Sequence, residues 1–126
     1  MEFDFVYDFY EGFAVVKKDG KYNFINENEE LLCEEWFDKA WNFYDGLAKV
    51  EKDDKYNFIK PDGAILSDEW LDKAYDFHGD FAVIRKGNVY NMKFNLVGKD
   101  GKLVFKRGCK SHATLERAAK RIGIYC

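Results

Sequence analysis

The chain repeats itself every 34 residues, and that period narrows its fold more than any other property. Phe9-Tyr10-Glu11-Gly12-Phe13-Ala14-Val15-Val16 returns as Phe43-Tyr44-Asp45-Gly46-Leu47-Ala48-Lys49-Val50, and more loosely as the run from Phe77 to Ile84. Lys21-Tyr22-Asn23-Phe24-Ile25-Asn26 returns as Lys55-Tyr56-Asn57-Phe58-Ile59-Lys60, with a weaker echo at Val89-Tyr90-Asn91-Met92. Glu34-Glu35-Trp36-Phe37-Asp38-Lys39-Ala40-Trp41 returns as Asp68-Glu69-Trp70-Leu71-Asp72-Lys73-Ala74-Tyr75. The opening Phe3-Asp4 falls in line with Phe37-Asp38, so the sequence enters partway through a unit. A period of this length belongs to chains that stack one small unit on the next, each burying a face it cannot bury alone.

Residues 43–76 show what one unit makes. Gly46 to Lys52 is rich in small and branched apolar residues, and Asp53-Asp54 is a turn signal. Lys55 to Lys60 carries aromatic and β-branched side chains suited to a pleated strand. In Pro61-Asp62-Gly63 the proline presets φ and the glycine supplies positive φ, a strong turn. Ala64-Ile65-Leu66 reads as a third short strand, and Ser67 to Phe77 as the connector. The unit is therefore a β-meander. One turn of helix is the alternative for the connector, because Trp70, Leu71, Ala74 and Phe77 follow helical spacing. The units run over about 9–42, 43–76 and, partial and divergent, 77–101, within a single domain spanning 1–126.

Comparing copies separates faces. Positions 14, 48 and 82 are always alanine, and 16, 50 and 84 are Val, Val and Ile, which places them on a buried face. Position 15/49/83 reads Val, Lys, Val and marks the opposite, tolerant side. Gly12 and Gly46 precede the first strand and are expected at positive φ. The third copy reads His78-Gly79-Asp80, so its turn should differ.

The motif Phe9-Tyr10-Glu11-Gly12-Phe13-Ala14-Val15-Val16, then Gly20-Lys21-Tyr22-Asn23-Phe24-Ile25-Asn26, then Asp38-Lys39-Ala40 resembles the WG-repeat family over about residues 2–95. The resemblance implies an all-β binding or interaction repeat, typically bacterial, and it brings no catalytic residues. The Trp-Gly pair of that family is replaced here by Tyr-Asn at 22–23, 56–57 and 90–91. Asparagine tolerates the left-handed region better than other non-glycine residues. Asn23, Asn57 and Asn91 are accordingly expected to kink the second strand, the rival being plain strand residues whose amides form a hydrogen-bonded ladder.

After Tyr90-Asn91 the period fails: the Asp-Gly turn at 62–63 reappears at 100–101, four residues late. A longer strand through Tyr90–Val97, a turn and a strand over Lys102–Lys106 are expected, then a helix at about 112–122. Ser111 can cap it, Leu115, Ala118, Ala119 and Ile122 share a face, and Gly123 stops it. This ββα ending suits a terminal cap. Lys110, Arg117, Lys120 and Arg121 give it a basic side fit for nucleic acid or an acidic protein.

Residues 1–84 carry 9 Lys/Arg and 21 Asp/Glu, a balance of −12, whereas residues 85–126 carry 11 and 2, a balance of +9. Three cysteines, Cys33, Cys109 and Cys126, are too few and too scattered for a disulfide framework or zinc knuckle, so free thiols in a reducing cytoplasm are expected. No apolar window of about 18 residues predicts a membrane span. Nucleotide-binding glycine loops and the zinc-protease motif are absent. Cys109 and His112 could pair as nucleophile and base, but nothing else of a catalytic constellation accompanies them. No metal or cofactor is implied.

Glu35-Trp36-Phe37-Asp38 and Glu69-Trp70-Leu71-Asp72, with Trp41 and Tyr75 downstream, form a repeated acidic-aromatic edge that would suit a cationic or peptide ligand if exposed, and inter-unit core if not. The sequence thus predicts a mainly β tandem array with a helical cap, acting as a non-catalytic protein-binding module. The alternatives are a small stand-alone inhibitor, of mobile-element or phage type, aimed at a host nucleoprotein or nuclease, and nucleic-acid binding through the basic C-terminal helix.

Overall fold

One hairpin with a third strand beside it recurs three times in the computed structural model, which describes residues 2–88 and 90–123. Val89 and Cys126 lie outside the described residues. Strands β1 (Phe5–Tyr10), β2 (Phe13–Lys18) and β3 (Lys21–Asn26) form the first antiparallel sheet. Strands β4 (Lys39–Ala40), β5 (Ala48–Lys52) and β6 (Lys55–Ile59) form the second, and β7 (Lys73–Ala74), β8 (Phe81–Lys86) and β9 (Lys93–Gly98) the third. Helix α1 spans His112–Arg121. The chain divides into two compact units, Met1–Leu66 with the first two sheets and Ser67–Cys126 with the third sheet and the helix. The mainly β repeat with a helical cap is therefore the architecture found.

The third strand of each meander comes from a different place than expected. Ala64-Ile65-Leu66 contributes a single bridge, Ile59 to Ile65, and Lys102–Lys106 likewise only Val97 to Leu103. The connector supplies the strand instead. Asp38 and Trp41 donate their N–H groups to Glu51 and Lys49 carbonyls at 2.8 and 3.0 Å, so Lys39–Ala40 lies extended against β5 rather than forming a helical turn. The aspartates of the connector are fixed by a second duty. Asp4, Asp38 and Asp72 accept the N–H of Asp19, Asp53 and Gly87, closing in each case the hairpin turn fifteen residues further on.

Ala14, Val16 and Ile25 form one core cluster, with Phe3, Leu31 and Trp36 packed on it. The small alanine lets these rings approach. Phe43 carries the packing from one repeat to the next within the first unit, stacked on Phe13 at 4.5 Å and edge-on to Phe24 at 5.2 Å. Val15, expected on an exposed side, is only 4% exposed, so both faces of β2 are covered.

Gly12 and Gly46 take positive φ as expected, each behind an acidic residue that does so too, Glu11 and Asp45, as in a type I′ turn. In the third copy only the first central residue, Gly79, has positive φ, the order of a type II′ turn. Gly63 has a stricter requirement. Its φ is +88°, and a Cβ there would stand 2.5 Å from the Leu32 carbonyl oxygen. Gly63→Ala should cost about 1–3 kcal/mol of stability, read as a lower urea midpoint.

The asparagine kink is corrected. None of Asn23, Asn57 and Asn91 has positive φ. Asn23 and Asn57 lie in regular ladders, opposite Val16 and Val50, and are fully buried. Asn23 donates Nδ2 to the Cys33 carbonyl at 2.9 Å, and its Oδ1 accepts the Phe24 N–H at 2.7 Å. The amide thus pins the following segment to the strand.

Asn91 has no such role: it is exposed, in the connection between β8 and β9. Its place is taken by Asn95, which bonds the Phe105 carbonyl and N–H and the Leu96 N–H at 2.6, 3.0 and 2.8 Å. The four-residue delay therefore sits in the turn. Lys52 and Lys55 close a two-residue turn, whereas Lys86 and Lys93 close one of six, and β9 is no longer than β3. From that turn onward, equivalent positions in the second and third repeats stand 38 residues apart.

Candidate functional site

On the face of the first sheet that also carries Phe24, Val15 of β2 lies diagonal to Tyr22 of β3, which is opposite Lys17, and Tyr7 of β1 falls in the irregular stretch between Val6 and Phe9. Tyr7, Val15 and Tyr22, with Trp41, Ala40, Lys39 and Asn42, line an open pocket of about 340 Å3. Tyr7 and Trp41 are 40% and 39% exposed, more than the core requires of residues so large. The second repeat shows what such a slot accepts. There Lys49 replaces Val15, and its ammonium lies 4.7 Å from the Trp41 ring centroid and 5.9 Å from that of Tyr56. In the first repeat Lys17 likewise lies 5.6 Å from the Tyr22 ring centroid, but the pocket beside Val15 stays open.

The residues singled out from sequence are placed as follows. Glu35 pairs with Lys52 at 3.2 Å and Glu69 pairs with Lys86. Trp36 is half-buried, against the Ala14 cluster and 6.5 Å from Phe3, and Trp70 is half-buried too. Of the rings of that edge the exposed ones are Trp41 and Tyr75.

Lys110, Arg117, Lys120 and Arg121 are all exposed, and Arg117, Lys120 and Arg121 share one face of α1 at i, i+3, i+4 spacing. Lys110 precedes the cap, roughly 15 Å along the axis from Arg121 at the rise of an α-helix. Ser111 caps α1 by accepting the Thr114 N–H at 3.1 Å, and Leu115 and Ala119 are its buried residues. Ile122, expected on the same face, is 57% exposed. Gly12, Gly46, Asn23 and Asn57 lie in turns and core.

Charged groups here link turns rather than build a reactive centre. The Lys21 ammonium, hydrogen-bonded to Asp38, holds that carboxyl below its ordinary range, with help from the Asp53 N–H, and Asp38 raises Lys21 in return. Burial pushes the Cys33 thiol up, away from the reactive thiolate. Cys109 is buried, and His112 lies edge-on to Phe94 with Nδ1 3.4 Å from Glu116. Among the described residues no three His, Cys, Asp or Glu side chains converge to hold a metal ion, and no helix is long and apolar enough to cross a membrane.

Tyr7 and Tyr22 were missed as site residues. A signal existed: positions 7, 41 and 75 read Tyr, Trp, Tyr, an amphipathic aromatic in every copy. The profile of the WG containing repeat family matches residues 1–22, 24–56 and 71–90, more than half of the chain. Comparison with curated proteins and with solved structures gave no match.

Proposed function

The chain belongs to the WG containing repeat family, and from that membership we propose that it is a non-catalytic repeat module that binds a protein partner. The observation that carries this reading is the open slot of Tyr7, Val15, Tyr22 and Trp41. Tyrosine and tryptophan offer large apolar rings with polar tips at little entropic cost, which is why they anchor protein interfaces. The slot fits one apolar side chain of an extended protein segment, and Lys39 and Asn42 at its edge can take the segment's polar groups.

The repeat itself suggests a test. Val15→Lys should extend its ammonium over the rings of the first slot as Lys49 does in the second repeat, and because Val15 is only 4% exposed the melting temperature checks that the fold holds. Peptides selected from a random display library on the native chain should carry a recurrent apolar residue. Their affinity should fall at least tenfold on Val15→Lys and on Tyr7→Ser/Trp41→Ser, with the melting temperature held. Selected peptides indifferent to both variants would refute this reading.

A further inference from the structure

The third repeat inverts the charge of a segment that the first two keep acidic. With the register set by structure, Glu34-Glu35-Trp36-Phe37-Asp38 and Asp68-Glu69-Trp70-Leu71-Asp72 correspond to Lys106-Arg107-Gly108-Cys109-Lys110. Phe37 and Cys109 make the same bridge, to Tyr22 and to Phe94. The carbonyls of Cys33 and Phe105 receive the same amide, from Asn23 and from Asn95.

In the earlier copies the acids have internal partners: Glu35 meets Lys52, Glu69 meets Lys86, and Asp38 meets Lys21 and the turn at Asp53. Among the described residues α1 follows the third sheet, and no hairpin remains to be closed. There Lys106, Arg107 and Lys110 have no ion-pair partner among the described residues, and neither has Lys93.

The substitution of tryptophan by glycine matters as much as the charges. In the first repeat Trp36 seats itself on the cluster containing Val16, beside Leu31. The equivalents of Val16 and Leu31 in the third repeat are Ile84 and Leu103. Both line a pocket of about 250 Å3, together with Gly108 and the cations Lys86, Lys93, Lys106 and Arg107. Leu103 is 41% exposed. The pocket is thus a tryptophan seat without its tryptophan, with Lys106 and Arg107 on its rim where the filled copy carries Glu34 and Glu35, beside Lys86 and Lys93 in the places of Lys18 and Lys21.

We propose that this pocket binds an acidic protein segment bearing an aromatic side chain, the ring entering the vacant seat and flanking carboxylates meeting Lys93, Lys106 and Arg107. The chemistry complements what the first two repeats carry in the same place. Nucleic acid fits less well. Ile84 and Leu103 offer nothing that reads a base edge, and Glu69 stands on Lys86 at the rim. The inference stands on observations separate from the slot of Tyr7 and Trp41.

The test is fluorescence anisotropy with a labelled decapeptide containing Glu-Glu-Trp-Phe-Asp, the same peptide with serine for tryptophan, and labelled ten-base oligothymidine. The native chain should bind the first peptide saturably. Lys106→Glu/Arg107→Glu restores the acidic pair of the other repeats and so should fold, which circular dichroism checks. It should weaken binding at least tenfold, and the serine peptide should bind at least fivefold more weakly. Arg117→Glu/Lys120→Glu/Arg121→Glu should stay within about twofold of native. The proposal is overturned by absence of saturable binding, by tighter binding of the oligonucleotide, by equal binding of the serine peptide, or by an equal loss in the helix variant.

Discussion

Replacing Asn95 with leucine should lower the free energy of unfolding by about 3–5 kcal/mol, among the larger effects available to a single substitution. Asn95 is 4% exposed and makes three hydrogen bonds to backbone. Leucine fills the volume but leaves the Phe105 carbonyl and N–H and the Leu96 N–H without their partner. Each buried polar group so stranded costs about 1–3 kcal/mol. Asn95→Gly separates this account from one based on backbone freedom. If asparagine served only to adopt positive φ, glycine would be neutral. Because the amide is what matters, glycine should cost about as much as leucine. Urea unfolding at unchanged m-value reads the loss, and hydrogen exchange at the Leu96 and Phe105 amides localises it.

The same residue shows how far the sequence could be read. Exact self-similarity fixed the period and the hairpins, and the Ser111 cap with apolar residues at helical spacing fixed the helix, because strand, turn and capping chemistry are local. The role of asparagine was hidden because it is not local: its partner lies ten residues on, at Cys33 or Phe105, across a turn. The fixed 34-residue comparison also set Asn91 against Asn57, when an insertion in the β8–β9 turn had moved the true equivalent to Asn95. That shift concealed the charge inversion at Lys106, Arg107 and Lys110, whose acidic counterparts appear only at a 38-residue offset. At the aromatic slot, recurrence of Tyr7, Trp41 and Tyr75 was visible, but their exposure was not. Trp36 seats on the Ala14 cluster, whereas Trp41, five residues on, is 39% exposed.

Truncating Leu115 to alanine should be the most damaging change in the helix, at about 2–5 kcal/mol. A ten-residue helix is marginal alone, so α1 depends on its apolar face. Leu115 is 1% exposed, in a cluster with Leu96, Cys109 and Ala119 on which Phe81 packs. Its position has a counterpart. Leu115 follows Cys109 by six residues, as Phe43 follows Phe37, and Phe81 and Leu96 are the equivalents of Phe13 and Phe24, the rings on which Phe43 packs. Leu115 therefore occupies the place where the next repeat would set its first phenylalanine. The helix caps the third repeat by supplying that one anchor, with Arg117, Lys120 and Arg121 exposed. Two outcomes follow: Leu115→Ala should reduce helical circular dichroism along with the melting temperature, because α1 loses its hold. Leu115→Phe restores the side chain that the repeat uses at this position, and should cost less than half as much as the alanine. If the two variants melt together, the site reads only apolar bulk removed, and the equivalence of cap and repeat is wrong.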